Sequence, residues 1–146
     1  VAGEPGPGTL DSGIGSKEVA NRLRELIPGV NVLALPGLYT PGCARSTVEW
    51  TLANEAHRLI LTVSPFHQPR AYMTLVKSFM KMVKPDQWPK IISAPSANLP
   101  WFGETPEGPT RFELITGEVD RIQEFQGKDI CTFEELIQYI ATTENR

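Results

Sequence analysis

Ser64, His67 and Arg70 place a hydroxyl, an imidazole and a guanidinium at three-residue intervals. Pro69 suits the first turn of a helix, which puts Arg70 in that turn, where the helix dipole disfavours a cation by about 0.3–1 kcal/mol. An anion held by free backbone N–H groups, by Arg70 and by His67 would offset this cost. The pattern therefore predicts a corner that binds phosphate or carboxylate. The alternative is that Arg70 pairs with a surface carboxylate of the protein and that His67 caps the helix. The spacing of the residues alone favours neither interpretation.

The elements that would position this segment alternate between strands and helices. Apolar periodicity predicts helices over 16–27, 46–57, 69–83, 109–125 and 132–143, and strands over 30–35, 59–63 and 90–94. The run over 59–63 is typical of a strand buried on both faces of a parallel sheet. Ser46 with Glu49 and Thr132 with Glu135 match the capping box at a helix start. This order predicts an α/β fold, a Rossmann-like three-layer α/β/α sandwich with a short, mostly parallel sheet.

In such sheets ligands bind at the carboxyl ends of the strands. Three loops qualify: the glycine- and proline-rich segment over 3–15, the loop that precedes Ser46, and the segment over 64–70. The glycine-rich segment matches neither phosphate-binding nor dinucleotide-binding motifs, which favours a plain loop. The second loop offers Thr47 and Glu49 as ligand contacts, although a helix cap explains Ser46 and Glu49 on its own.

Composition restricts the classes of function. The 146 residues carry 40% hydrophobic and 21% charged side chains, which is typical of one globular domain spanning 1–146. A net charge of −3 gives no general attraction to nucleic acid. No apolar run is long enough for a membrane helix, no leader peptide is evident, and no cluster of metal ligands is evident. We therefore predict a cytoplasmic protein without bound metal.

The two cysteines and the tryptophans favour structural roles. Cys43 and Cys131 lack metal-like spacing, and two unpaired thiols in a reducing compartment are favoured over one disulfide. Trp50, Trp88 and Trp101 are interpreted as packing groups. In the alternative in which the domain binds a protein partner, Trp101 and Phe102 in a long loop are the expected apolar contact.

The segment over 61–71 resembles the strand-loop-helix signature of the DUF218 family, also called YdcF-like or ElyC/SanA-like. Ser64, His67, Arg70 and Ala71 match it at the right spacing, and Val63 stands where the family usually has Thr. An upstream family signature, Ser-x-Asn-Thr-x-Glu-Asn, is matched over 44–50 by Thr47 and Glu49 alone. The resemblance covers about two thirds of the chain. It omits the family's first strand and glycine loop, and one interpretation is therefore a domain that is incomplete at its N-terminus.

The resemblance implies a Rossmann-like fold with a polar pocket at the strand ends. Some members are linked to bacterial envelope-precursor metabolism, and one branch is associated with S-adenosylmethionine. We therefore expect Ser64, His67, Arg70, Thr47 and Glu49 to bind a phosphorylated or nucleotide-like molecule, with S-adenosylmethionine or a nucleotide as the implied cofactor. In an enzyme, a transferase or hydrolase, His67 would act as acid or base and Glu49 would orient Arg70 or a ligand hydroxyl. The alternative is a non-catalytic, degenerate family member that binds a ligand or a protein.

Overall fold

The computed structural model describes residues 16–29, 40–95, 100–105 and 108–144. The predicted loop over 3–15 and the predicted strand over 30–35 lie outside these residues. The described elements are the helices α1 (Ser16–Leu26), α2 (Thr40–Ala53), α3 (Gln68–Met82), α4 (Leu114–Phe125) and α5 (Phe133–Thr143), a 3₁₀ turn (Pro85–Gln87), and the strands β1 (Arg58–Leu61) and β2 (Lys90–Ser93). Among the described residues no helix has the length and apolar character that crossing a membrane requires.

Helix α2 begins at Thr40, so the predicted start at Ser46 is wrong. Pro41 lies in the first turn, where its missing N–H costs no hydrogen bond. Ser46 is consequently inside the helix and cannot be its cap, and Glu49 instead accepts a 3.0 Å bond from the Arg45 side chain one turn earlier. The local pattern fitted a helix start, but the chain was already helical there.

The two strands pair in parallel, with Arg58 opposite Lys90 and Leu61 opposite Ser93. This pairing and the helix between the strands confirm a mixed α/β fold. The prediction that the first of these strands is buried on both faces is wrong, because Ile60 is 70% exposed and its neighbour Ile92 is 42% exposed. Strand β1 also ends earlier than predicted, since the backbone N–H of Val63 donates to the Gln68 side chain instead of to a strand.

Helix α3 is the centre of the core and closely matches the prediction. Val76 and Phe79 on α3 and Val48 on α2 are fully buried, as α2 packs along α3. Lys77 of α3 is also buried and donates a 2.6 Å bond to Glu135 of α5. Glu135 completes the predicted capping box, which is confirmed: Thr132 accepts from the Glu135 N–H, and Glu135 accepts from the Thr132 N–H.

Two tyrosine hydroxyls cover the outer edge of β2. The N–H groups of Lys90 and Ala94 donate towards β1, so the carbonyls of Pro89 and Ile91 point to the other side. Tyr139 of α5 donates a 2.6 Å bond to Pro89, and Tyr72 of α3 donates a 3.2 Å bond to Ile91. Tyr139 also stacks on Trp88 at 5.1 Å, which confirms a packing role for Trp88.

We expect Tyr139→Phe to lower the free energy of unfolding by about 1–3 kcal/mol, because the Pro89 carbonyl would be left buried without a donor. Tyr72→Phe is the matched control, since the half-buried hydroxyl of Tyr72 bonds the same strand edge at a site that water reaches more easily. Urea unfolding of both variants measures the difference. Equal losses in the two variants would contradict this account of the edge.

Candidate functional site

Gln68 positions the predicted site segment at the ends of both strands. Its side-chain amide donates to the Leu61 carbonyl at 2.9 Å and to the Ser93 hydroxyl at 3.0 Å, and its side-chain carbonyl accepts from the Val63 N–H at 3.1 Å. The Ser64 carbonyl accepts from the backbone N–H groups of His67 and Gln68. These bonds turn the chain from β1 into α3. Sequence reasoning missed Gln68. Its side-chain amide is buried and therefore needs hydrogen-bond partners, which the strand ends supply.

His67 occupies the N-cap position of α3 in a helical conformation, and its side chain makes no capping bond. The interpretation of His67 as a helix cap is therefore wrong. Its ring instead lies 2.8 Å from Glu118, joining Nδ1 to Oε2. This contact turns the imidazole away from its own helix start and towards α4.

Arg70 binds the same carboxylate with both ends of its guanidinium. Its Nε donates to Glu118 Oε2 at 2.6 Å and its Nη2 donates to Oε1 at 3.0 Å, while Nη1 donates to the Thr40 hydroxyl of α2 at 3.2 Å. A fourth donor comes from α4 itself, since Arg121 Nη1 lies 2.9 Å from Glu118 Oε1. We call Glu118, His67, Arg70 and Arg121 the Glu118 cluster.

The Glu118 cluster holds its carboxylate in the charged form. Glu118 is only 5% exposed. Burial alone raises the pKa of Glu118, but the hydrogen bonds and positive charges of His67 and Arg70 outweigh burial and lower the pKa to about 2. The sequence predicted a ligand anion at the start of α3, with pairing of Arg70 to a carboxylate of the protein as the alternative. The structure pairs Arg70 with a carboxylate of the protein, Glu118. That carboxylate is buried, unlike the surface carboxylate of the alternative.

Thr47 and Glu49 make their hydrogen bonds with residues outside the Glu118 cluster. The Thr47 hydroxyl donates to the Cys43 carbonyl one turn back, and Glu49 is exposed and paired with Arg45. The expectation that Glu49 orients Arg70 is therefore corrected, because Glu118 and Thr40 take that role. The earlier start of α2 explains the change, since it presents Thr40 to Arg70 and leaves Glu49 on an exposed surface. Ligand contacts by Ser64, Thr47 and Glu49 stay predictions.

Sequence reasoning also missed Glu118 and Arg121, and one signal could have found them. Glu118 lies on the same helical face as Ile115 and Ile122, three residues before and four residues after it. A carboxylate within an apolar stripe indicates a buried charge that needs a partner. Arg121 follows one turn later on that face.

A cavity of about 360 Å³ lies beside the Glu118 cluster; its wall is formed by Pro41, Arg70, Thr74, Arg121, Phe125, Asp129 and Ile130. Two guanidiniums therefore line it. Asp129 adds a negative charge and lies 3.5 Å from Lys81. His67, Ser64, Thr47 and Glu49 do not line this space. We call it the arginine cavity.

The carboxyl ends of β1 and β2 border an apolar groove and not the polar pocket that the resemblance implies. A groove of about 670 Å³ is lined by Pro65, Gln68, Pro69, Tyr72, Met73, Ile91, Ser93, Pro95, Phe133, Leu136 and Ile140. None of these side chains is ionisable near neutral pH, and most are apolar. Arg70 of α3 faces α4, whereas the apolar groove lies between α3, β2 and α5.

The remaining predicted groups have simple placements. Trp101 is 41% exposed, so its packing role is wrong, and Phe102 is 78% exposed with its ring 5.4 Å from that of Phe112. Their contact with a protein partner stays a prediction. Cys43 and Cys131 are both thiols that form no disulfide, and burial above all raises the pKa of Cys131 to about 12, which makes it unreactive. Among the described residues no group of three or more His, Cys, Asp or Glu side chains is placed to hold a metal ion.

Comparison with known proteins adds no relative: no family model matches the chain, and no match was found among curated proteins or solved structures. The resemblance to the DUF218 family therefore stays a prediction.

We expect the Glu118 cluster to contribute stability that acid removes. The carboxyl has an ordinary pKa of 4.5 and a pKa of about 2 in the folded protein, so the contribution is complete above the ordinary value and is lost as pH falls through the folded one. Between about pH 5 and pH 2 the loss amounts to the order of 3 kcal/mol. Glu118→Gln lacks this term, so the stability advantage of the wild type over this variant should shrink as pH falls.

Urea unfolding at a series of pH values measures this difference. Glu49→Gln is the matched control, because Glu49 is more than half exposed and its pairing with Arg45 is a surface contact. Its pH dependence should follow the wild type. Parallel curves for the wild type and Glu118→Gln would refute the assigned role of Glu118.

Proposed function

We propose that this domain binds a small anionic molecule, of the phosphorylated or nucleotide-like class, in the arginine cavity. The observation that carries the proposal is an excess of positive charge at the cavity wall. Of the residues that line the cavity, Arg70 and Arg121 are positively charged and Asp129 is negatively charged, which leaves one net positive charge at the wall.

The geometry of Arg121 supports this proposal. Its side chain is 53% exposed and lines the cavity, and one of its N–H groups is bonded to Glu118. A guanidinium has five N–H donors in a fixed plane, so several donors remain to bind a phosphate or carboxylate oxygen. Glu118 holds the guanidinium in place, which reduces the entropy that a ligand must remove.

The proposed function is binding without a catalytic step. His67 does not line the arginine cavity, so its role as acid or base, and with it a transferase or hydrolase reaction on envelope precursors, stays a prediction. The binding of a nucleotide is part of the same proposal. S-adenosylmethionine has no phosphate group and carries a net positive charge, so its binding stays a prediction from the resemblance alone. We also infer that β1 and β2 belong to a Rossmann-like three-layer α/β/α fold, which their parallel pairing and the helix between them support.

Calorimetric titration with inorganic phosphate, nucleotides, sugar phosphates and S-adenosylmethionine tests the proposal. We expect affinity for at least one phosphorylated compound, and we expect Arg121→Gln to weaken it about tenfold, the value of one charge-assisted hydrogen bond. Affinity should also fall as salt is added, because the attraction is electrostatic.

Arg45→Gln is the control for this titration, since Arg45 is an exposed arginine on α2 that pairs with Glu49. It removes the same charge from the chain without changing the cavity wall. Equal affinities of Arg121→Gln and the wild type, or no affinity for any compound of the panel, would overturn the proposed function.

A further inference from the structure

Three residues of the arginine cavity follow one another along the same wall. Arg121 and Phe125 are four residues apart on α4, so they lie on one face of the helix, about 6 Å apart along its axis. Asp129 follows four residues later, just beyond the end of α4, where its backbone N–H donates to the Phe125 carbonyl at 3.1 Å. The wall therefore presents a guanidinium, an aromatic ring and a carboxylate in that order.

The carboxylate of Asp129 opposes the binding of a bare anion. Like charges repel, so Asp129 lowers the affinity of the cavity for a free phosphate ion. An ionised carboxylate is a hydrogen-bond acceptor with two oxygens and no donor of its own. It therefore favours a ligand that brings hydrogen-bond donors together with its negative charge.

Asp129 has acceptor capacity left for such donors. Its side chain contacts Lys81, whose Nζ lies 3.5 Å from Oδ1, which is long for a hydrogen bond. The side chains of Lys81 and Asp129 are 52% and 54% exposed, so this pair is a weak surface contact. A ligand in the cavity can consequently donate to the carboxylate without breaking a strong bond.

Phe125 provides an apolar surface between the two charged groups. It is 37% exposed and lines the cavity. An aromatic ring packs against the carbon skeleton of a ligand and stacks on the plane of a nucleobase. A ligand whose phosphate and whose hydrogen-bond donors are joined by carbon atoms matches this order of side chains.

We propose that the ligand of the arginine cavity is a phosphate monoester with hydroxyl groups on its carbon skeleton, as in a pentose phosphate or a nucleoside monophosphate. This inference rests on the proposed anion binding. Arg121 binds the phosphate, the carbon skeleton packs on Phe125, and Asp129 accepts hydrogen bonds from the hydroxyl groups. Asp129 determines specificity, because an ester without hydroxyl groups meets only its repulsion.

Calorimetric titration with ribose 5-phosphate and methyl phosphate tests this specificity. Both are phosphate monoesters with a charge of about −2 at neutral pH, and only ribose 5-phosphate carries hydroxyl groups. We expect ribose 5-phosphate to bind the wild type about tenfold more tightly, the value of one hydrogen bond to a charged acceptor. Equal affinities, or tighter binding of methyl phosphate, would overturn the proposal.

Asp129→Ala should change the two affinities in opposite directions. It removes the acceptor, so ribose 5-phosphate should bind about fivefold more weakly. It also removes the repelling charge, so methyl phosphate should bind about twofold more tightly. A misfolded variant or a displaced wall would change both affinities in the same direction, and such a parallel change would refute the role of Asp129.

Asp86→Ala is the matched control. Asp86 is an exposed carboxylate in the 3₁₀ turn and does not line the cavity. Its removal changes the net charge of the chain by the same amount as Asp129→Ala. Both affinities should stay at their wild-type values, and a reversal of the ester preference in Asp86→Ala would count against a local effect of Asp129.

Adenosine 5′-monophosphate distinguishes the two sources of this ligand chemistry. If the ligand is a nucleotide, its base stacks on Phe125, so this compound should bind more tightly than ribose 5-phosphate and Phe125→Leu should remove the difference. If the ligand is a pentose phosphate, the base adds no affinity. Either result supports the proposal when Asp129→Ala weakens the binding of both compounds, and undiminished binding of both to Asp129→Ala overturns it.

The outcomes separate this inference from the function on which it rests. If Arg121→Gln weakens the binding of both esters and Asp129→Ala leaves their relative affinities unchanged, the proposed function is retained and the preference for a hydroxyl-bearing ester is refuted. Absence of affinity for both esters and for every compound of the earlier panel refutes both proposals.

Discussion

The burial of the Glu118 carboxylate is the constraint on which the arrangement of α3 and α4 depends. A buried carboxylate is costly unless charged or polar donors surround it. The domain meets this requirement with donors from two helices: His67 and Arg70 lie one turn apart on α3, and Arg121 lies one turn from Glu118 on α4. The start of α3 and the middle of α4 must therefore lie where one set of hydrogen bonds can form between them.

That set extends to the rest of the domain through the start of α3. Gln68 ties the first turn of α3 to Leu61 and Ser93 at the ends of both strands, and Arg70 reaches Thr40 at the start of α2. The strands, α2 and α4 are thus each linked to the segment over 67–70. Further along α3 the contacts become apolar, with Val76 and Phe79 fully buried. Polar contacts orient the helix and apolar contacts stabilise it.

The elements that sequence reasoning predicted well are those with a strong local pattern. The extent of α3 follows from its apolar periodicity, and the start of α5 follows from the capping box of Thr132 and Glu135. The start of α2 was misplaced because Ser46 and Glu49 match the same box inside a helix that had already begun. A capping box is a short pattern, and it carries no information on whether the preceding turn is helical.

Sequence reasoning named two of the four residues of the Glu118 cluster, and the ligand contacts expected of them stay predictions. His67 and Arg70 were identified from their spacing in one helix turn, and both belong to the Glu118 cluster. Their carboxylate partner is 48 residues beyond Arg70 in the chain, and a pairing at that distance depends on tertiary structure, which one sequence does not reveal. Glu49 was assigned to Arg70 because it matches the upstream family signature in the second candidate loop. The position of Glu118 in an apolar stripe was a local signal for its burial, but not for its partner.

An ion pair at the contact between α3 and α4 has a consequence that an apolar contact would not have. Replacing buried ion pairs by apolar side chains of similar volume is often neutral or stabilising, so stability alone does not explain why this contact is ionic and not apolar. An apolar contact between helices separates only when water enters it, and no small ion competes for it. The Glu118 carboxylate is held by donors that bind any anion of suitable shape, and Arg121 is already half exposed to such anions. The donors that hold the Glu118 carboxylate are therefore of the type that a phosphorylated ligand requires, and Arg70 and Arg121 among them already line the arginine cavity.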